Sequence, residues 1–204
     1  PWVAPISEAI HEKSLLEKWW HADETPWSVV ELTEEKQKHR WYVWVFVSSS
    51  TVVCVLAPGR DSGVVDEFFK SVQDGILCVD RYSAYKCFVK TRTGFVLAFC
   101  WARVRRDFLQ IGQNRPMLEG WALQWVTRIG ELFHLNKERI QHPLNSAQFL
   151  LVDGRLRQAL TDMEVQRDAE LADTTLHVVC RKALESLRNH WPGLTVFVDH
   201  PHIP

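Results

Sequence analysis

The chain has 204 residues, of which 46% are hydrophobic and 24% charged, and its formal net charge is -1, so the composition excludes an intrinsically disordered protein and is typical of a globular one. No apolar run reaches the roughly 18 to 20 residues that a membrane-spanning helix needs, and the N-terminus lacks the segments of a signal peptide. We therefore expect a cytoplasmic protein with no membrane partner. Because the first residue is proline rather than methionine, we also expect the sequence to be a piece of a longer polypeptide.

The first part of the chain predicts one helix and three strands. Apolar residues at helical spacing predict a helix over residues 7–20, with its first serine as the N-cap. We expect a short strand over about residues 19–23, because Pro26 stops a helix from continuing through this stretch. Two β-branched and aromatic runs, residues 41–47 and 51–57, are separated by serines and predict a hairpin buried on both faces.

Helices and strands then alternate along the chain. The predicted elements are a helix over 62–72, a strand over 76–79, a helix over 82–90, a strand over 95–100 and a helix from about residue 102. Residues 117–190 are helical in pattern with a break around 142–145, and we expect residues 194–198 to be extended. Three strands close in sequence, followed by this alternation, predict an antiparallel trio continued by parallel strands, in one mixed sheet with helices on both faces. This is the α/β element order of the ribonuclease-H-like fold.

In such a sheet the first and fourth strands are parallel neighbours, so the residues at their carboxyl ends, Asp23 and Asp80, face one crevice. Two carboxylates so placed raise each other's pKa unless a cation neutralises them, and oxygen ligands favour Mg²⁺ or Mn²⁺. Such ions can activate a water or a 3′-hydroxyl for attack on a phosphodiester. We assign residues 1–112 to the ribonuclease-H-like catalytic core and residues 113–204 to a helical insertion or extension.

Each aspartate also has a purely structural interpretation. Asp23 can begin a turn before Pro26, and Asp80 can cap the helix that follows it. Two further acids are better explained without a metal, since Asp107 has arginine neighbours to pair with and Glu131 falls on the solvated side of its helix.

Positive charge is concentrated after Asp80, which favours contact with the phosphate backbone of DNA. Residues 81–106 contain seven basic residues and no acidic one, although the whole chain is nearly neutral. The predicted DNA-binding residues are Arg81, Lys86, Arg103, Arg105 and Arg106. The alternative is a solvated basic face that pairs with the acidic stretch over residues 162–173. For Trp27 we expect packing under the sheet edge, with contact to DNA as the alternative.

Three segments occur in a fixed order: HADETPW at residues 21–27, VDRYSAY at residues 79–85 and CWARVRRDF at residues 100–108. Together they resemble the DDE transposases of bacterial insertion sequences, in particular the insertion-sequence-sixty-six branch, over most of the chain. The resemblance implies a Mg²⁺-dependent catalytic domain that nicks transposon-end DNA and joins the 3′-hydroxyl to target DNA, as a homo-oligomer in a synaptic complex at the nucleoid. It also implies that Asp23 and Asp80 are the first two catalytic carboxylates.

The sequence departs from the family pattern at two places. Arg103 stands where the family usually has histidine, which keeps the positive charge and loses the imidazole. The family's third carboxylate lies in an Asn-Asn-x-x-Glu-Arg segment that does not occur here, and we expect it beyond residue 204. We therefore expect a polynucleotidyl transferase in the full-length protein and little activity from this chain alone. Two alternatives stay open: a catalytically incomplete remnant that serves as a DNA-binding or protein-interaction module, and an unrelated ribonuclease-H-like nuclease acting on RNA or branched DNA.

Overall fold

A five-stranded mixed sheet organises the first half of the chain in the computed structural model, which describes residues 3–30 and 38–203. The strands are β1 (Trp19–Val30), β2 (Lys38–Val47), β3 (Val52–Ala57), β4 (Gly75–Val79) and β5 (Phe95–Phe99). Their order in the sheet is β3-β2-β1-β4-β5, with antiparallel pairing from β3 to β1 and parallel pairing from β1 to β5. The predicted α/β sheet, an antiparallel trio continued by parallel strands with flanking helices, is confirmed and is compatible with a ribonuclease-H-like fold.

Helices precede, separate and follow the strands. They are α1 (Ala4–Leu15), α2 (Ser62–Phe68), α3 (Ser83–Thr91), α4 (Trp101–Asn114), α5 (Glu119–Arg139), α6 (Ala147–Ala172), α7 (Val178–Leu194) and α8 (Val196–Asp199). The chain forms two compact units, Pro1–Phe99 with the sheet and α1 to α3, and Cys100–Pro204 with α4 to α8. The functional division into residues 1–112 and 113–204 stays a prediction. Within the described ranges, the search for a helix long and apolar enough to cross a membrane finds none.

An aromatic core covers one face of the sheet in the first unit. Trp20 of β1 and Trp44 and Phe46 of β2 are fully buried on this face. The Phe46 ring stacks on Phe68 with centroids 3.8 Å apart, and the Trp20 ring meets Phe69 edge-on at 4.8 Å. Burial of each such side chain contributes about 1.5–3 kcal/mol to stability. Residues of β1 that alternate with this core lie on the opposite face.

The first strand is longer than predicted. The expected strand ends at residue 23, whereas β1 continues through Pro26 and stays paired with β2 as far as Val30. Its ladder with β4 stops at His21, so among the described strands the later part of β1 is paired on one side only. Proline is tolerated in a strand edge of this kind. The interpretation that Asp23 begins a turn is therefore wrong.

The hairpin of β2 and β3 is confirmed, but β3 is not buried on both faces. Val52 and Leu56 are exposed, whereas Val53 and Ala57 alternate with them and are buried. As the edge strand of an antiparallel pair, β3 packs one face on the core and leaves the other open.

Three helix boundaries also differ from the prediction. The first helix, predicted over residues 7–20, ends at Leu15, ahead of the start of β1 at Trp19. α1 begins at Ala4 with Val3 as its N-cap residue, ahead of the serine expected to cap it, because a proline in the first turn supplies a helical φ angle. α2 ends at Phe68, four residues before the predicted end at 72.

The second unit is helical, as its pattern predicts, and the break around residues 142–145 separates α5 from α6. The structure has a further break, between α6 and α7, that the sequence pattern does not predict. Residues 194–198 are helical rather than extended: α7 ends at Leu194 and α8 follows. The buried guanidinium of Arg139 donates hydrogen bonds to the carbonyls of Phe197 at 3.0 Å and Val198 at 2.9 Å. Because this cation satisfies carbonyls that a short helix leaves unpaired, tertiary contacts override the strand propensity of the β-branched residues.

Candidate active site

The ladder between β1 and β4 brings Asp23 and Asp80 to equivalent positions. Its last pair is His21 with Cys78, and each aspartate lies two residues beyond that pair. Asp80 directly follows β4 and is half-buried; Asp23 lies within β1 rather than at its end and is exposed. Strand alternation puts Asp23 on the face of His21, opposite the aromatic core. Both acids therefore stand where the two strands cease to be paired, and their role as catalytic metal ligands stays a prediction.

A backbone amide orients each aspartate. The Glu24 N–H donates to Asp23 Oδ1 at 3.0 Å, and the Tyr82 N–H donates to Asp80 Oδ1 at 2.8 Å. The second bond forms a turn just before α3. The N-cap residue of α3 is Tyr82 and no described side chain caps the helix, so the interpretation that Asp80 caps it is wrong. A carboxylate has about four lone-pair sites, so one bond of this kind is compatible with cation binding.

Glu24 is a feature of the site that the sequence analysis misses. Its side chain is 0% exposed, on the core face of β1. Arg60 donates to Glu24 Oε1 from Nε at 2.9 Å and from Nη2 at 2.5 Å, and the Tyr85 hydroxyl donates to Oε2 at 2.7 Å. The Tyr82 hydroxyl donates to the Arg60 carbonyl at 2.6 Å, and the Arg60 guanidinium lies 4.0 Å from the centre of the Tyr82 ring. We call Glu24, Arg60, Tyr82 and Tyr85 the Glu24 cluster.

The charged groups around this cluster act on the hydroxyl of Tyr85. Burial is the main cause that raises the pKa of Tyr85 far above its usual range, followed by Glu24 and then by the charges of Asp23 and Asp80. Both candidate catalytic carboxylates thus lie within electrostatic reach of one hydroxyl. The hydrogen bonds that Arg60 donates to Glu24 raise the pKa of Arg60, so the guanidinium remains a cation that neutralises the buried carboxylate.

Two of the predicted DNA-binding residues lie close to Asp80. Arg81 is the next residue along the chain and is half-buried, and Lys86 lies on α3 with its ammonium 5.8 Å from the centre of the Phe99 ring. Burial and the charge of Arg81 lower the pKa of Lys86, while Asp80 opposes them. The neighbourhood of Asp80 therefore combines a carboxylate with two cations.

The chain matches the sequence profile of the Transposase IS66 family over residues 1–204. The protein belongs to this family. Membership confirms the resemblance carried by the three motifs, indicates a role in transposition and implies DNA binding. Transposases of the DDE class generally use divalent metal ions. No curated protein and no solved structure matches the chain.

The donor chemistry of Asp23 and Asp80 fits such an ion in this transposase. Mg²⁺ and Mn²⁺ prefer oxygen ligands, and Mg²⁺ is commonly held by one or two carboxylates together with waters. Among the side chains that the structure describes, those of residues 3–28 and 41–203, no three from His, Cys, Asp or Glu form a group that could hold a metal. Asp107 and Glu131 belong to α4 and α5 of the second unit. The predicted metal ligands in the first unit are Asp23 and Asp80.

The remaining predicted DNA-binding residues of the transposase lie in the second unit. They are Arg103, Arg105 and Arg106, all on α4. The buried face of this helix is formed by apolar residues that include Trp101, Val104 and Phe108, so the arginines occupy positions between and beside them. Arg105 and Arg106 are exposed and Arg103 is half-buried. Their contact with DNA stays a prediction.

Trp27 is an exposed aromatic residue of the transposase sheet. It is 55% exposed, so the interpretation that it packs under the sheet edge is wrong. Trp27 pairs with Trp41 of β2. The ladder between β2 and β3 ends one residue away, at Tyr42, so Trp41 has no partner in β3 within that ladder. Alternation places Trp27 on the same face of β1 as Asp23. Contact with DNA stays a prediction for this residue as well.

Proposed function

We propose that this chain is part of a transposase whose full-length form carries out metal-dependent phosphoryl transfer on DNA, nicking transposon ends and joining the freed 3′-hydroxyl to target DNA. The observation that carries the proposal is the position of Asp23 and Asp80, each two residues beyond the last pair of the ladder between β1 and β4. When bound there, Mg²⁺ or Mn²⁺ supplies activation of the attacking oxygen and stabilisation of the leaving oxygen. The family match supports the same chemistry.

The residues of the chain have distinct roles in this proposal. Asp23 and Asp80 hold the cation, and their hydrogen bonds to backbone amides restrict rotation of the two carboxylates. Arg81 and Lys86 bind phosphates next to Asp80, because backbone phosphates attract cations irrespective of base sequence. The arginines Arg103, Arg105 and Arg106 contribute further phosphate contacts.

The proposed setting follows from the substrate. We place the protein in the cytoplasm in association with the nucleoid, where its DNA lies. A homo-oligomer would hold two transposon ends in one synaptic complex, so that cutting and joining are coordinated.

A catalytically incomplete remnant that binds DNA is the second candidate. It is favoured by the finding that, across the part of the chain that the structure describes, no third acidic, histidine or cysteine side chain joins a pair to form a metal-binding group. Such a chain keeps the phosphate contacts of its cations and does not cleave.

Metal binding by the chain and nicking by the full-length protein separate the two candidates. We expect Asp23→Asn and Asp80→Asn each to lower Mn²⁺ affinity by about ten-fold or more, measured by water proton relaxation, because each removes a full negative charge from the site. Asp66→Asn is the matched control, since Asp66 lies on α2 and faces Arg92 at 3.7 Å. Mn²⁺-dependent nicking of a supercoiled plasmid by the full-length protein, lost in both variants, supports catalysis. DNA binding by the full-length protein without nicking, at any Mn²⁺ concentration, supports the remnant.

A further inference from the structure

We propose that the Glu24 cluster sets the separation and orientation of Asp23 and Asp80, so that its members are positioning residues for the proposed metal site. The inference rests on the proposed function, because it assigns the cluster a task only if these two carboxylates share a cation. It adds residues on the opposite face of β1, which touch neither metal nor DNA in the proposed reaction.

The sheet alone does not hold the two aspartates at a fixed distance. The pairing of β1 with β4 ends at His21 and Cys78, two residues before each acid. Beyond that pair β1 continues along β2, and the chain after β4 turns into α3. Hydrogen bonds between paired strands fix strand separation only where the ladder exists. Beyond this point the ladder does not fix the distance between Asp23 and Asp80.

Both aspartates are bonded to the backbone of the Glu24 cluster. Asp23 Oδ1 accepts from the N–H of Glu24, and Asp80 Oδ1 accepts from the N–H of Tyr82. One cluster member thus contributes to the orientation of each carboxylate. A contact that fixes Glu24 relative to Tyr82 therefore also helps to fix Asp23 relative to Asp80.

The side chains of the cluster supply that relation. Glu24 accepts from Arg60 through one oxygen and from Tyr85 through the other, which ties β1 to α3 and to the loop before α2. Arg60 lies against the Tyr82 ring at 4.0 Å and its carbonyl accepts from the Tyr82 hydroxyl at 2.6 Å. Two routes thus run from Glu24 to the segment that begins at Asp80, one through Tyr85 and one through Arg60 and Tyr82.

Fold stability alone does not explain why charged and hydrogen-bonding residues, rather than apolar ones, form the Glu24 cluster. The surrounding core is aromatic and aliphatic, and a buried ion pair is commonly no more stabilising than apolar residues of the same volume. Hydrogen bonds differ from apolar packing in fixing direction as well as contact, which suits groups that hold metal ligands in place. Removing a residue that orients a metal ligand typically lowers metal affinity or activity by about 10- to 100-fold.

The test compares Mn²⁺ affinity with fold stability in conservative variants of the full chain. Tyr85→Phe removes only the hydroxyl that reaches Glu24, and Arg60→Lys keeps the charge while removing the forked contact. Tyr82→Phe is a milder third variant, since its hydroxyl bond lies at an exposed position. Tyr42→Phe is the matched control: the Tyr42 ring also faces Arg60, at 5.9 Å, but its hydroxyl makes no hydrogen bond among the described residues.

We expect Tyr85→Phe and Arg60→Lys to weaken Mn²⁺ binding by about ten-fold, measured by proton relaxation at a temperature where circular dichroism shows both variants folded, and Tyr42→Phe to bind as wild type does. Tyr82→Phe should show a smaller loss in the same direction. Wild-type affinity in all three cluster variants, with affinity lost in Asp23→Asn, overturns the positioning role and leaves the proposed function standing. Wild-type affinity in Asp23→Asn overturns the proposed function and the inference with it.

Discussion

The Tyr85 hydroxyl donates a hydrogen bond of 2.7 Å to the Glu24 carboxylate across 61 positions of sequence. Glu24 follows Asp23 on β1, and Tyr85 lies in the helix that begins just after Asp80, so one buried bond joins the two segments that carry the candidate catalytic acids. The bond requires a protonated tyrosine, and Arg60 donates to the other oxygen of the same carboxyl group.

Tyr85 should make the protein sensitive to alkaline pH. The pKa of Tyr85 in the folded state is raised above the ordinary value of about 10, so the folded state binds this proton more tightly than the unfolded state. The stabilisation is complete below about pH 10 and is lost progressively as the pH rises beyond it. Urea unfolding from about pH 8 to about pH 11 should show a steeper alkaline loss of unfolding free energy for wild type than for Tyr85→Phe. Parallel curves would contradict the assignment.

Removing Arg60 should cost more stability than neutralising Glu24. Arg60→Ala leaves a buried carboxylate without its guanidinium, and because the Arg60 side chain is 41% exposed we expect a loss of about 3 kcal/mol, the lower end of the range for broken buried pairs. Glu24→Gln keeps the shape and a hydrogen-bonding group and should cost about 1 kcal/mol. The double variant should lose less than the two single losses combined, in denaturant unfolding of all four proteins. Additive losses would show that Arg60 does not stabilise Glu24.

The strand order could be predicted because its signals are local. Two β-branched runs separated by serines predict a hairpin, and strands alternating with helices predict parallel neighbours, which is how β1 and β4 are paired. The same reasoning places Asp23 and Asp80 at matching positions. It fails for the length of β1, because whether a strand tolerates Pro26 depends on which of its edges is paired, and sequence pattern carries no such information.

The Glu24 cluster could be predicted only in part. Once β1 is known to pass Asp23, alternation puts Glu24 on the core face, and a buried carboxylate needs a partner. The identity of the partners is not visible in the sequence, since Arg60 and Tyr85 are 36 and 61 positions away. For the same reason the helical form of residues 194–198 depends on Arg139, a distant residue whose burial has no local signal.

The two cations beside Asp80 should each contribute to the salt dependence of duplex DNA binding. Each phosphate that a cation neutralises changes the slope of log affinity against log salt by about 0.9. Arg81→Ala and Lys86→Ala should therefore each make the slope shallower by about that amount, measured by fluorescence anisotropy with a labelled duplex over a salt series. Lys70→Ala is the control, because Lys70 follows α2 and pairs with Glu67 at 2.6 Å, with both side chains exposed. A slope unchanged in both variants would contradict phosphate contact at this site.

Trp27 should strengthen binding to unpaired DNA more than binding to duplex. It is 55% exposed on the face of β1 that carries Asp23, four residues further along the strand, and an exposed indole offers a flat surface on which a base can stack. Stacking of one base on an aromatic side chain contributes about 1–3 kcal/mol, so Trp27→Ala should weaken binding of a single-stranded oligonucleotide by about five-fold or more, with Trp27→Phe in between. Leu56→Ala, which removes a side chain 50% exposed on β3, serves as the control for lost apolar surface. Equal weakening of single-stranded and duplex binding in Trp27→Ala would exclude stacking, because paired bases are not available to the indole.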